Sequence, residues 1–174
     1  MSLSYLRDVN YDFTNELKNR TLENSNIEDY NCGGAALLTY NAFIPYRDRF
    51  DHLDGVLEMY EDGLNIAEIE DVVLRWDVYQ MLKEFQGRLR IVDKNYELAA
   101  NERLIAYRIF ITVYDYLNNV EFDSDFHFKF RDYGQDKWFE KCGFSGKIHS
   151  CSIYNWDSGI WSYDSDIIYF ALKL

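Results

Sequence analysis

The sequence contains little proline, little cysteine and no long apolar run. Its single proline, Pro45, excludes Pro-rich linkers, and its three cysteines are an odd number and too few for a disulfide framework. No apolar run approaches the roughly 18 residues that a membrane span requires. Residues 1–10 also lack the apolar run of a signal peptide. These absences predict a protein of the reducing cytoplasm.

Positive charge is also scarce. Lys and Arg total 18 against 30 for Asp and Glu, and the net charge is −12. A surface this acidic repels nucleic-acid phosphates and anionic membranes. We therefore expect no direct nucleic-acid binding and no membrane partner. Such a surface can, however, present carboxylates to a basic host protein that itself binds nucleic acid.

The chain is rich in material for a hydrophobic core. Of its 174 residues 48% are hydrophobic and 18% aromatic, which predicts one folded domain over residues 1–174. Residues 1–30 predict a short helix or an irregular arm. Three helices are predicted next, with Asn31 suited to cap the first and Gly87 to close the last. They are predicted from Cys32 towards Ala42, over 51–63 and over 65–85, so that about 51–87 forms a helical insertion.

Five strands are predicted after the helices from β-branched and aromatic runs. Phe126, Phe128 and Phe130 alternate with polar residues, which predicts a strand with one apolar and one polar face. Tyr133 and Gly134 predict the turn of a hairpin. The strands are predicted over 89–92, 103–111, 126–131, 137–141 and 166–172, the last closing the sheet. Helices followed by antiparallel strands indicate an α+β fold.

Cys32 is the candidate nucleophile. A cysteine in the first turn of a helix is stabilised as a thiolate by the helix dipole, and its backbone N–H can face an oxyanion. His127, on the polar face of its strand, is the candidate base. Glu140, on the paired strand, is a candidate to orient the imidazole. Gly33 leaves room for a substrate backbone, and the Asn31 side chain is a candidate second oxyanion donor.

Four segments in this order carry a resemblance to a known group of enzymes. They are 31–37 (NCGGAAL), 102–108 (ERLIAYR), 125–128 (DFHF) and 138–143 (WFEKCG). They resemble the papain-like cysteine peptidases that include the NlpC/P60 enzymes, and more closely uncharacterised papain-like proteins of bacteria and their phages. The resemblance implies a papain-like fold with Cys32 as nucleophile and His127 as base. Glu140 stands where the group's third polar residue is often His, and Cys142 where the group often has Pro.

Two other residue clusters allow simpler interpretations. Cys142, His149 and Cys151 lack the short Cys-x-x-Cys clip and the fourth ligand of a zinc site, so we predict no metal and no cofactor. The late aromatic residues predict a packed C-terminal hairpin, with a turn at 157–159, rather than a binding platform. They are Tyr154, Trp156, Trp161 and Tyr163.

Two functions are compatible with the sequence. The first is a cysteine hydrolase, a peptidase or amidase, that cleaves an amide bond in a peptide or protein. The alternative is a catalytically inactive papain-like scaffold that acts as an acidic, protein-binding inhibitor, encoded by a phage and directed at a nucleic-acid-binding host protein. The acidic runs 58–62 and 68–71 are typical of solvated helix faces. Glu68, Glu70 and Asp71 are the candidate contacts for such a partner.

Overall fold

The computed structural model describes residues 31–38, 43–45, 53–117, 119–143, 148–157 and 163–174. The arm predicted for residues 1–30 lies outside these ranges. The described chain has an α+β fold, as predicted, with helices preceding an antiparallel sheet. The helices are α1 (Cys32–Leu37), α2 (Leu53–Glu61) and α3 (Ile66–Glu84). The strands are β1 (Leu89–Val92), β2 (Glu102–Tyr116), β3 (Asn119–Asp132), β4 (Trp138–Lys141), β5 (Ile148–Cys151) and β6 (Ile168–Lys173).

The six strands form one open sheet in the order β1-β6-β2-β3-β4-β5. The prediction that the last strand closes the sheet is wrong, because β6 lies inside it. Leu172 pairs with Leu89 of β1 on one side and with Arg103 of β2 on the other. Both edges of β6 are therefore occupied within the sheet. The edges of the sheet are instead formed by β1 and β5.

The β2–β3 hairpin is the longest element of the sheet. Its register runs from Arg103 opposite Asp132 to Tyr116 opposite Asn119. Both strands extend beyond their predicted limits, because their pairing continues past Ile111 and Phe126 to a partly exposed end of the hairpin. The predicted alternation of β3 is confirmed at Phe126, Phe128 and Phe130, which pack into the main core.

Helix α1 is short and buried at every residue. Its predicted cap is confirmed: the Asn31 side chain accepts a hydrogen bond from the Gly34 backbone N–H at 3.0 Å. The predicted extension to Ala42 is wrong, because Leu38 adopts the left-handed conformation (φ 56°) that ends the helix. A helix of this length depends on its surroundings for stability.

The other two helices follow the predictions for 51–63 and 65–85 closely. Asn65 and Glu68 form a capping box at the start of α3, each side chain bonding the backbone N–H of the other. Gly87 follows the helix with a positive φ of 79°. Within the described ranges, no helix combines the length and apolarity needed to cross a bilayer.

The sheet has a hydrophobic cluster on each face. The larger cluster combines α1, α3 and the phenylalanines of β3. The smaller one contains Ala106, Phe110, Trp156 and Tyr163, so the predicted packing is confirmed for these last two aromatic residues. Tyr154 is 93% exposed and does not join them. Trp161 and most of the predicted 157–159 turn lie outside the described residues.

Candidate active site

The start of α1 lies beside β3, close to the residues predicted for catalysis. The Cys32 sulfur is 4.0 Å from the backbone oxygen of Phe126, and Cys32 is close enough to the His127 ring to influence its charge. Strand β4 pairs with β3 at Lys129 and Phe130, further along the strand. The thiol therefore approaches β3 next to the point where β4 pairing ends.

Glu140 is the second partner of the His127 ring. Its Oε2 is 2.8 Å from His127 Nε2, which leaves Nδ1 as the ring nitrogen available to Cys32. Lys129 is directly opposite Glu140 in the β3–β4 ladder, and His127 lies two residues before Lys129 on the same face. A diagonal position of this kind is within reach of a long side chain. The structure thus brings together Cys32, His127 and Glu140.

His127 is nearly buried, and its partners determine its charge. Burial of the ring is the largest single influence and lowers its pKa, but hydrogen bonds and charge interactions with Cys32 and Glu140 outweigh it. Together they raise the pKa of His127 to about 9. An imidazolium between a sulfur and a carboxylate is the charge state that a cysteine nucleophile requires in its base.

Glu140 interacts with three cationic or ionisable groups. Besides His127, its Oε1 is 3.1 Å from His149 Nε2, and its Oε2 is 3.6 Å from Lys129 Nζ. Burial raises the pKa of this carboxyl group, but the hydrogen bond and charge of His127, with the charges of Lys129 and His149, outweigh burial and lower it. Sequence reasoning missed both additional partners. The hairpin predicted around Tyr133 could have indicated Lys129, because its register places Lys129 opposite Glu140.

Two aromatic residues form a wall around the imidazole. The Tyr163 ring stacks on His127 with ring centroids 5.5 Å apart, and the Trp156 ring meets it edge-on at 6.2 Å. The Tyr163 hydroxyl donates a hydrogen bond to Asp125 Oδ2 at 2.9 Å. Trp156 also lies under the Lys129 ammonium, 4.8 Å from the ring centroid. These contacts limit the movement of the imidazole, whereas the sequence predicts only hairpin packing for both rings.

Asn31 and Gly33 have structural tasks in this fold. The Asn31 side-chain oxygen accepts the backbone N–H of Phe43 at 3.0 Å, and its nitrogen donates to the Phe43 backbone oxygen at 2.7 Å. A Cβ atom on Gly33 would lie 2.5 Å from Phe43 Cβ and 3.1 Å from Phe128. Glycine at position 33 therefore allows this close packing. The oxyanion role of Asn31 and the substrate role of Gly33 stay predictions.

A buried ion pair fixes the other end of α1. Arg103 Nε and Nη2 donate to the two carboxylate oxygens of Asp132 at 2.6 and 2.9 Å. Arg103 Nη1 donates to the backbone oxygens of Ala35 and Ala36 at 3.0 and 3.2 Å. These are carbonyls of the last turn of the helix, which a cation satisfies well. The short helix is thus bonded to the sheet at the end opposite Cys32.

Comparison with protein-family models, with curated proteins and with solved structures gives no match to this chain. The resemblance to papain-like peptidases therefore stays a prediction.

Proposed function

We propose that this protein is a cysteine hydrolase that cleaves an amide bond in a peptide or protein. The observation that supports this most is the position of Cys32 at the start of a helix, beside strand β3, where His127 contacts Glu140 at 2.8 Å. A nucleophile, a base and a group that orients the base are the three parts of a catalytic triad. We also propose a papain-like architecture and a cytoplasmic location.

In the proposed reaction, the Cys32 thiolate attacks the carbonyl carbon of the amide. The negative charge on the carbonyl oxygen is stabilised by the Cys32 backbone N–H at the helix start. His127 then gives its proton to the departing amine as the C–N bond breaks and a thioester forms. Water, deprotonated by His127, attacks the thioester and releases the acid and the thiol. Glu140 stabilises the imidazolium at each stage.

Alkylation by iodoacetamide at pH 7, followed by peptide mass spectrometry, tests this proposal. Burial and the charge of Glu140 raise the pKa of Cys151 to about 12, and burial is the main cause that raises the pKa of Cys142. Because His127 can accept the proton of its thiol, Cys32 should react fastest of the three, although it is only 4% exposed. The variant His127→Ala should slow Cys32 by about tenfold or more, while Cys151→Ser is the matched control. Equal Cys32 rates in the wild type and His127→Ala would contradict the proposal.

The second candidate function is the acidic binding protein, and one observation favours it. Cys32 is buried, which suits an inactive scaffold. The proposed contact surface needs a correction, because Glu70 is buried and accepts a hydrogen bond from the Ile111 backbone N–H at 3.2 Å. Glu68 and Asp71 are exposed on α3. In this case Glu68→Lys with Asp71→Lys abolishes binding to a basic host protein and Cys32→Ala preserves it. The reverse pattern favours the hydrolase.

A further inference from the structure

Three side chains capable of binding a metal meet at the end of β4. The carboxylate of Glu140, the sulfur of Cys142 and the imidazole of His149 each offer one ligand atom, and these atoms all lie within 4.8 Å of one another. The sequence predicts no metal at Cys142, His149 and Cys151, because that set lacks a short Cys-x-x-Cys clip and a fourth ligand. In the fold, Glu140 takes the place of Cys151 beside the other two.

The sheet itself positions these ligands. Glu140 and His149 are directly opposite each other in the β4–β5 ladder, and their side chains are already in contact at 3.1 Å. Cys142 follows β4 immediately, two residues after Glu140. Glu140 and His149, on paired strands, are held more precisely than ligands on separate loops would be.

The donor set indicates the class of metal. One thiolate, one imidazole and one carboxylate suit a borderline-soft divalent ion such as Zn²⁺, and suit Mg²⁺ or Ca²⁺ poorly, because those ions take oxygen ligands. Zn²⁺ bonds of about 2.0–2.3 Å require the ligand atoms to approach further, by about 1 Å, which side-chain rotation can supply. Cys142 is exposed and His149 is 44% exposed, so the ion has an entry path and water can take the fourth position.

The two oxygens of Glu140 separate this cluster from the proposed catalytic pair. Oε1 faces His149, whereas Oε2 faces His127. An ion bound through Oε1 leaves the contact with His127 in place. We propose that Glu140, Cys142 and His149 form a three-ligand site for Zn²⁺ or a similar transition-metal ion. The site shares Glu140 with the proposed triad but uses neither Cys32 nor His127, so it does not rest on the proposed hydrolase function.

Binding of Zn²⁺ to the full chain, in competition with a chromophoric chelator, tests the site. Cys32→Ala provides the background, because it removes the only proposed catalytic thiol. We expect one ion per chain in that background, and a loss of at least about tenfold in affinity on adding Cys142→Ser or His149→Gln. Cys151→Ser is the matched control and should bind like its parent. Circular dichroism establishes that each variant is folded.

Cobalt provides a second readout. Co²⁺ bound by the Cys32→Ala protein should show thiolate-to-cobalt charge-transfer absorption, and Cys142→Ser should abolish it. Loss of Zn²⁺ binding in Cys32→Ala would place the ion at Cys32 and His127 and overturn the proposal. Unchanged affinity in Cys142→Ser would overturn it as well. A failure of Cys32 alkylation would sink the hydrolase proposal without affecting this one.

Discussion

Helix α1 has a cluster of charged groups at each end, and the two clusters are built differently. At its last turn, Arg103 and Asp132 are 0% and 3% exposed and match each other in a two-point contact. Near its first residue, Cys32, the single carboxylate of Glu140 interacts with His127, Lys129 and His149. The first cluster is closed and paired, whereas the second reaches solvent through His149.

This difference shows how a short helix can be bonded firmly to the sheet at one end and carry a candidate nucleophile at the other. Arg103 bonds the last turn of α1 to Asp132 of the sheet, and removing either partner is costly because the other charge is left buried and unpaired. A carboxylate shared among several groups can redistribute its interactions when a proton or an ion arrives. Near Cys32, the interactions of the charged groups can therefore rearrange. At the last turn of α1, the Arg103–Asp132 pair keeps one arrangement. Four changes test this comparison.

Arg103→Met should have the largest effect. It removes the guanidinium from the Asp132 carboxylate and from the carbonyls of the last turn of α1, and should reduce the free energy of unfolding by about 3–5 kcal/mol. Urea denaturation measures this loss. The matched control is Arg75→Met, which removes a surface pair with Asp71 and should cost less than about 0.5 kcal/mol. Similar losses in the two variants would contradict a holding role for Arg103.

The pH dependence of stability should be the next largest effect. The pKa of His127 is raised from an ordinary 6.5 to about 9, so its stabilising contribution is complete below pH 6.5. It is lost as the pH rises through 9, and the total is at most about 3 kcal/mol. Denaturation between pH 6.5 and 9.5, with a chelator present, measures it. The decrease should become smaller in Glu140→Gln, and an unfolding free energy independent of pH in the wild type would be the contrary result.

Glu140→Gln should lower the free energy of unfolding by about 2 kcal/mol, because it removes a charge-assisted hydrogen bond to a nearly buried imidazole. It should also slow the alkylation of Cys32, measured as above in the presence of chelator. His149→Gln is the comparison variant on the exposed side of the same carboxylate, and should cost less than about 1 kcal/mol. If His149→Gln has the larger effect, the cluster is organised around the surface and not around His127.

Gly33→Ala should have the smallest effect, about 1–2 kcal/mol of lost stability, because the added Cβ meets the Phe43 side chain in a packed region. Gly55→Ala is the matched control within α2. Its Cβ would be 3.4 Å from the nearest atom, in the Trp76 ring, so the helix preference for alanine should make it neutral or stabilising. Thermal unfolding distinguishes the two. A stabilised Gly33→Ala protein would show that α1 is held by charge alone.

The local features of the fold were predictable from the sequence. Periodicity located α3, the alternation around Phe128 located β3, and the hairpin after it placed Glu140 on the strand beside His127. Each of these signals acts over a few residues. The cap of α1 at Asn31 is of the same kind.

The features that were not predictable depend on which strands are neighbours. Arg103 begins a strand in the sequence, and its burial becomes apparent only when Asp132 is placed opposite it and α1 above it. Glu70 belongs to an acidic run that suggests a solvated face, but packing of α3 on β2 buries it against Ile111. The joining of Glu140 to His149 likewise required the β4–β5 register. The burial of Arg103, the burial of Glu70 and the contact of Glu140 with His149 all depend on contacts between distant parts of the chain. Local sequence patterns do not predict such contacts.

The position of β6 between β1 and β2 has a consequence for synthesis of the protein. Both neighbours precede it in the chain, so β1 cannot join the sheet until residues 168–173 have left the ribosome. Until then, facing edges of β1 and β2 offer unpaired backbone groups to any other chain nearby. Shortening the chain before residue 168 would leave those edges open permanently, and the shortened product should aggregate as it is made.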